Sequence, residues 1–456
     1  MLDESASCET TSDCGAGFVC NAEGKFCEKD TGPILLGHIA AKEGFEQVFL
    51  QQEQAMTLAI ETVNANGGVL GRSLDRRWFD DRPVEAAEKV MQSLADARVV
   101  GIVGPTASNF ALAIAPLVRE KKIITISPAI AVGHMGGYEP PDDRWFLSTA
   151  GSPRAEAHGM ALHARKAEEG APACERVFVF ASKTPYLEAY ENAFTAGLSK
   201  LGGCVAGRIE LPRAIPSSYT NMLDHMKKSG ADCVLLSAFG SHYVPLLHDA
   251  GLRSDLSHVR FLAASNAHHD DFLDGARKDT DGAAKVLPRL VTGDFDGNHE
   301  TAEAKWIKAR YNERFGLPPE QELATNVMAA FDSAILIALA VERAGTATDR
   351  IAIRDALASI VALSPDHEVH GPQELALLLN ASRRRRELGC GTTRHSVPCE
   401  IHYRGASSDL ELDETGAARP NVVIYRASSA GFTRAAQFLR RDLEPLITAA
   451  GATSCR

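Results

Sequence analysis

The sequence predicts an α/β protein of two doubly wound, Rossmann-like lobes preceded by a small Cys-rich module. Three observations carry this prediction. Short, apolar, β-branched runs such as Val99–Val103 and Ile123–Ile126 alternate with stretches of helical periodicity, as in parallel sheets covered on both faces. At 456 residues the chain is too long for one hydrophobic core. Four of its 10 cysteines, Cys8, Cys14, Cys20 and Cys27, crowd into a short polar segment, the pattern of an oxidised, exported module without a core of its own.

Taken in order, residues 1–32 form that module. Four cysteines permit three pairings, and sequence does not choose among them. The spacings lack the paired C-x-x-C knuckles of a zinc site, which favours disulfides. From Pro33 the run ILLGHIAA is a strand and Gln47–Asn66 a helix, with Asn66-Gly67-Gly68 as its stop signal. Leu74–Phe79 is the next strand, and Pro83–Leu94 carries helical periodicity. The stretch Leu94–Ala131 then reads as two buried parallel strands with a helix between them. Ser108 or Asn109 caps that helix, and Arg119, Lys121 and Lys122 sit near its end. Both strands run out into small and polar residues, Gly104, Pro105, Thr106, Ser108 and Asn109 after the first, Ser127, Pro128 and Ala129 after the second. Open parallel sheets bind ligands beyond the carboxyl ends of their strands.

The second half repeats the style. Arg176–Phe180, Val205–Glu210, Cys233–Ser237, Phe261–Ala264 and Leu290–Thr292 are strands, with helices over Tyr186–Leu201 and Tyr219–Ser229. Two such halves joined by crossings predict two lobes with a cleft between them. Helices dominate from Glu300 to about Ile360. The longest apolar stretch, Val327–Val341, is interrupted by Asp332, is too short to span a bilayer and reads as a buried core helix. Short strands return over Ile401–Ala427.

Charge and motifs exclude several functions. With 48 Lys plus Arg against 59 Asp plus Glu, the net charge of −11 gives no electrostatic reason to bind nucleic acid. The basic run Arg383–Arg386 reads as a solvated loop or helix end. No G-x-x-x-x-G-K-[ST], G-x-S-x-G or H-E-x-x-H occurs, and no G-x-G-x-x-G follows a strand, so no enzyme is expected and no cofactor. His268, His269, Asp270 and Asp271 form the best metal-like cluster, but neighbours on one short segment rarely converge on one ion, and a solvated helix start is the expectation. Asp294, Asp296 and Asn298 lack the glycine and closing glutamate of a calcium loop. No metal site is predicted. Cys174 and Cys204 flank the starts of two strands expected to be neighbours, which predicts a disulfide between them. Cys390 and Cys399 could close a later loop likewise, leaving Cys233, as a buried apolar residue, and Cys455 over. No charged-then-apolar signal segment opens the chain, and the cysteines favour a processed, exported protein over a cytosolic one.

A family likeness rests on LLGHIAA, VNANGGVLGRSL, FDDRP, LADARVVGIVGPTAS and IITISPA, continued by SKTPYLEAYENAF, ADCVLLSAFG, DAGL, YNERFG, AAFDSAILIALAVERAG and YRGASSDLELDETG. In order and spacing these resemble type I periplasmic binding proteins, nearest the branch serving branched-chain amino acid ABC transporters. The resemblance covers roughly Pro33 to Phe432, leaving out the Cys-rich head and a stretch near Gln373–Cys399 that looks inserted. It implies two lobes, at about 33–148 plus 294–412 and 149–293 plus 413–456, with a hinge that closes on a small ligand. It further implies an exported, periplasmic or cell-surface protein, a lipoprotein partner of an ABC permease, its contact with the membrane made through a lipid anchor. A ligand-sensing or cell-surface recognition protein on the same fold is the alternative.

Residue by residue, Ser108 in GPTAS matches a serine that contacts a ligand carboxylate from a helix start. Thr106, in the same loop, and Ser127, in the loop after the next strand, are expected as further ligand contacts. Ala129 matches a position whose carbonyl receives the ligand ammonium, Tyr186 in TPYLEAY a tyrosine closing over the ligand, and Phe239 in SAFG a second aromatic. Two departures follow. Ala131 stands where the amino-acid binders carry threonine, and Ser265 or Asn266 where they carry an acid. Loss of that carboxylate removes a charge-assisted contact worth roughly 1.5–3 kcal/mol. The expected ligand is therefore a small polar or carboxylated solute other than a simple branched-chain amino acid.

Overall fold

The computed structural model describes residues 7–8, 14, 18–20, 25–42, 46–81, 83–130, 143–167, 172–296, 301–316, 323–362, 368–388, 401–408, 410, 412, 415–418, 420–447 and 451–455. The chain opens with a hairpin of β1 (Phe18–Cys20) and β2 (Cys27–Lys29). It continues through β3 (Ile34–Ile39), α1 (Glu46–Ala65), β4 (Leu74–Phe79), α2 (Ala87–Asp96), β5 (Gly101–Val103), α3 (Ser108–Lys121), β6 (Thr125–Ser127) and β7 (Phe146–Gly151). Next come α4 (Pro153–Ala164), β8 (Arg176–Ala181), α5 (Pro185–Lys200), β9 (Cys204–Glu210), α6 (Thr220–Lys228), β10 (Cys233–Ser237), α7 (Tyr243–Gly251), β11 (Arg260–Ala263), α8 (Asp270–Lys278) and β12 (Leu290–Asp296). There follow α9 (Ala302–Phe315), α10 (Thr325–Ala344), α11 (Arg350–Val361), β13 (Glu368–His370), α12 (Leu375–Leu388), β14 (Ile401–Tyr403) and β15 (Ala417–Ala418). The last elements are β16 (Asn421–Ser428), β17 (Gly431–Phe438) and α13 (Arg440–Ile447).

These elements form two compact units. Unit 1 holds Met1–Gly133, Gly137–Ala150 and Gly297–Ala418, and unit 2 holds His134–Gly136, Gly151–Asp296 and Arg419–Arg456. The main crossings thus fall at 150/151, 296/297 and 418/419, a few residues beyond the expected ones, and the Cys-rich head groups with unit 1 instead of standing apart. Arg98 Nη1 donates to the Phe18 carbonyl at 3.2 Å, one contact that ties the head to that unit.

Unit 1 carries a six-stranded sheet in the order β15-β7-β6-β5-β3-β4, with β3 to β7 parallel. Its core gathers on α10, in which every residue from Val327 to Arg343 is buried. Asp332, in the middle of that helix, is held by donors from the segment after β14: Tyr403 Oη at 2.8 Å, the Ala406 amide at 3.1 Å, the Ser407 amide at 2.8 Å and Ser407 Oγ at 2.6 Å. Part of the segment expected to be an insertion belongs to the core, because Leu375, Leu378, Leu379 and Ala381 of α12 are buried in it. Arg383 is not simply solvated either; its Nε donates at 3.1 Å to Glu342, which is fully buried.

Unit 2 carries a seven-stranded sheet in the order β17-β16-β12-β11-β10-β8-β9, parallel from β12 to β9 and antiparallel at β16 and β17. Alternation along the strands divides its core into two layers. Phe178, Phe180, Val234, Leu236, Phe261 and Ala263 face one, and Val177, Val179, Leu235 and Leu262 the other. A sheet buried on both sides is what continuous apolar runs require. No helix among the described residues is long and apolar enough to cross a membrane.

The head pairs Cys8 with Cys20 and Cys14 with Cys27, a choice its spacing left open. The expected Cys174–Cys204 bridge is replaced by Cys174–Cys233 and Cys204–Cys455. Strand β8 has β10 on one side and β9 on the other, and Cys174 is buried with Cys233 in the same core layer. Cys204 lies on the edge strand β9, against which the C-terminal segment docks through a Val205–Ser454 bridge. Cys233 and Cys455 are therefore not spare. Cys390 and Cys399 lie outside the described residues. Peptide mapping without reduction is expected to recover a 174–233 and a 204–455 linkage; a 174–204 peptide contradicts this pairing.

Candidate functional site

In unit 1, the strand order reverses at β3 and β5, since β3 is followed in sequence by β4 on one side and β5 on the other. Such switch points are where loops part to leave a crevice. The Gly104 loop lies there, and its backbone passes so close to β3 that a Cβ on Gly104, at φ +114°, would sit 1.9 Å from the Ile39 carbonyl oxygen. Asp81, fully buried, gathers the loop: its Oδ2 accepts from the Thr106 amide and hydroxyl, each at 3.0 Å, and from the Ala107 amide at 2.8 Å. Burial pushes the Asp81 pKa up, and the bonds from Thr106 and Ala107 oppose the shift. Thr106 Oγ1 also accepts from the Ala41 amide at 3.0 Å. Thr106 thus positions the loop, with its polar groups already engaged.

Ser108 differs. It begins α3, whose preceding residue Ala107 offers no side-chain cap, and the first intrahelical bond runs from the Ala111 amide to the Ala107 carbonyl. The amides of Ser108, Asn109 and Phe110 therefore have no intrahelical partner, and the Ser108 hydroxyl, partly exposed, has none among the described residues. This is a donor cluster at the positive end of a 14-residue helix, suited to an anion. Ser127 is fully buried and braces the neighbouring loop, donating to the Pro105 carbonyl at 2.7 Å and accepting from the amides of Ala129 at 3.2 Å and Ile130 at 2.8 Å. It holds Ala129 in place and has no exposed surface with which to contact a ligand. Ala131 lies outside the described residues.

In unit 2 the order reverses at β8 and β10, and the loops beyond them carry Tyr186 and Phe239. Thr184 caps α5 by accepting from the Leu187 amide, and Pro185 begins the helix, which places Tyr186 in its first turn. Tyr186 Oη lies 2.8 Å from Ser265 Oγ, so two predicted site residues meet. Phe239 donates its amide to Ser182 Oγ at 3.1 Å and stacks on His242. Asn266 is engaged at both ends, accepting from Tyr243 Oη at 2.6 Å and donating to the Ala238 carbonyl at 2.7 Å. It acts as a pin between loops.

The residue missed from sequence is Glu156, on α4. Its Oε1 accepts from the Ser265 amide at 2.7 Å and its Oε2 from Tyr186 Oη at 2.6 Å. An acid does stand beside the position that lacks one, supplied from 109 residues away in the chain. Burial raises its pKa to about 8, the Tyr186 hydrogen bond opposing and the nearby Asp294 charge adding to the rise. Nothing in the local pattern marks Glu156, since Pro153 and an acid in the first turn are ordinary helix-start residues.

The histidine cluster divides. His269 caps α8 by accepting from the Phe272 amide at 3.2 Å, whereas His268 turns to Asp294, Nδ1 to Oδ2 2.7 Å, and stacks on Tyr425 with ring centres 4.2 Å apart. The two rings serve different partners.

A family profile described as periplasmic binding protein matches residues 33–369. No curated protein matches the chain. Among solved structures, a leucine-binding protein from Thermotoga maritima is 19% identical with a TM-score of 0.65, covering 90% of this chain and 99% of its own. The branched-chain amino acid transporter substrate-binding protein of Streptococcus pneumoniae, in complex with isoleucine, is 14% identical with a TM-score of 0.62, covering 89% and 99%. An ABC-transporter solute-binding protein from R. palustris, in complex with 4-hydroxybenzoate, is 16% identical with a TM-score of 0.62, covering 90% and 98%. At these identities the likeness concerns the fold.

Proposed function

We propose, from the premise that this chain belongs to the periplasmic binding protein family, that it is an exported binding protein, not an enzyme, which takes up a small carboxylated solute for an ABC importer. The observation that carries the reading is the start of α3, where three amides and the Ser108 hydroxyl have no partner among the described residues, at a switch point of the sheet. The solutes named for the solved relatives, leucine, isoleucine and 4-hydroxybenzoate, share a carboxylate and little else. The four disulfides among the described residues agree with an oxidising compartment.

A thermal-shift panel of L-leucine, L-isoleucine and 4-hydroxybenzoate, each beside its amide, tests the reading. Stabilisation by 4-hydroxybenzoate and not by its amide is expected; equal shifts with acid and amide, no shift with any acid, or stabilisation by leucine or isoleucine alone overturns it. For an acid that binds, Ser108→Ala is expected to raise Kd about tenfold or more in calorimetry, the worth of a hydrogen bond to a charged group. Delivery to an importer predicts that the loaded protein raises the ATPase activity of a reconstituted ABC permease complex from the same organism.

A further inference from the structure

Glu156, Tyr186 and Ser265 form a hydrogen-bonded chain in unit 2. Glu156, fully buried, is its root, and Ser265, a partly exposed residue, is its outer end. We infer that Glu156 sets the hydrogen-bond polarity of Ser265, so that unit 2 offers a donor to a carboxylate while Glu156 holds a proton and an acceptor once it has lost it. The inference deepens the reading that the chain binds carboxylated solutes and rests on it.

The geometry leaves two arrangements. Oε1 is committed as an acceptor to the Ser265 amide, so a proton on the carboxyl must sit on Oε2 and point at Tyr186 Oη, 2.6 Å away. Tyr186 then gives its own proton to Ser265 Oγ, 2.8 Å away, and the Ser265 proton is turned outward. When Glu156 is charged, both hydroxyls reverse. Tyr186 donates to the carboxylate, Ser265 turns its proton inward to Tyr186 or to the carboxylate itself, and the lone pairs of Ser265 Oγ face outward. Each state satisfies every inner group, so one proton at the root decides what the outer end can bind.

The surroundings favour the protonated state at neutral pH. The side chain has room because residue 293 is glycine: a Cβ there would lie 3.2 Å from Oε1. Burial raises the Glu156 pKa to about 8, and Asp294, next along β12, adds to the rise. His268 pairs with Asp294 under Tyr425 of β16. Tyr186 and Tyr190 of α5 and Tyr243 of α7 also face Glu156. Burial foremost, and then its charge, keeps the first two protonated, and burial does the same for Tyr243. From β16, Val422 packs against the helix at Gly159. An acid held neutral gives an ammonium group no counter-charge, which is why the chain can hold an acid here and still suit a solute without one.

Two measurements on the full chain test this. Infrared difference spectra without ligand, between pH 6 and pH 9, are expected to show a protonated-carboxyl band that disappears at the higher pH and is missing from Glu156→Gln at both. No band lost with the variant overturns the inference. In the second, benzoate, ionised throughout this range, is titrated by calorimetry. The wild type is expected to weaken about tenfold from pH 6 to pH 9, while Glu156→Gln and Ser265→Ala show no such trend and Ser265→Ala keeps the infrared band. The same pH trend in all three proteins overturns the inference. Failure of benzoate to bind any of them at any pH counts against the solute reading for aromatic acids, and the infrared result then decides the role of Glu156.

Discussion

Glu156→Gln is expected to gain on the wild type by about 4 kcal/mol in unfolding free energy between pH 5 and pH 9. The carboxyl has a folded pKa raised to about 8, against an ordinary value of 4.5. The stability it contributes is therefore fully present below the unfolded pKa and is lost as pH rises through the folded one. A glutamine has no proton to lose. Its oxygen can still accept from the Ser265 amide and its amide can donate to Tyr186 Oη, so the variant keeps the protonated arrangement at every pH. Urea unfolding of both proteins at pH 5, 7 and 9 measures the difference, and a constant offset across that range rules the effect out. Titrating groups not coupled to Glu156 act equally in both proteins, so the comparison isolates this carboxyl with its coupled neighbours.

Asp332→Ala is expected to destabilise unit 1 by about 4 kcal/mol, within the range for breaking a buried charged network. The carboxylate is wholly buried, and burial pushes its pKa up, but two amides and two hydroxyls converge on it and oppose that rise. Removal leaves these donors, on Tyr403, Ala406 and Ser407, without an acceptor, each an unsatisfied group that costs about 1–3 kcal/mol. Asp332→Asn is expected to be only partly milder, because it turns an NH₂ group toward the Ser407 donors. Thermal unfolding of the three proteins checks the order, and a drop of under about 1 kcal/mol for the alanine variant contradicts it. The effect bears on function only indirectly, since Asp332 fastens α10, the centre of the unit 1 core.

Much of the architecture was legible because its signals are local. The run over residues 233–237 is an apolar strand wherever it is placed, and Cys233–Ser237 is a strand in the structure. Helix starts and stops follow from residues one turn apart: α3 begins at Ser108 and ends with Lys122 in the left-handed cap conformation. The parallel alternation, read without knowledge of register, leads to the α/β class, and Ser108 falls at a helix start beyond a strand because motif and turn share one stretch.

What sequence left open depends on groups that meet across the fold. The sequence pairs Cys174 with Cys204 across neighbouring strands, and burial of its side chain in the core layer of Cys233 overturns that pairing. The sequence places the hydroxyls of Thr106 and Ser127 in the loops beyond the strands, and only the fold shows them bonded to Asp81 and to the Pro105 carbonyl.

By itself, then, the sequence determined the strands, the helices, their alternation and the donor-rich start of α3, all products of neighbouring residues and backbone geometry. Only the tertiary structure decided the disulfide partners, the tasks of the loop hydroxyls and the acid behind Ser265. A hydrogen bond between residues 109 apart is set by the packing of α4 against the sheet and leaves no periodic trace in the chain.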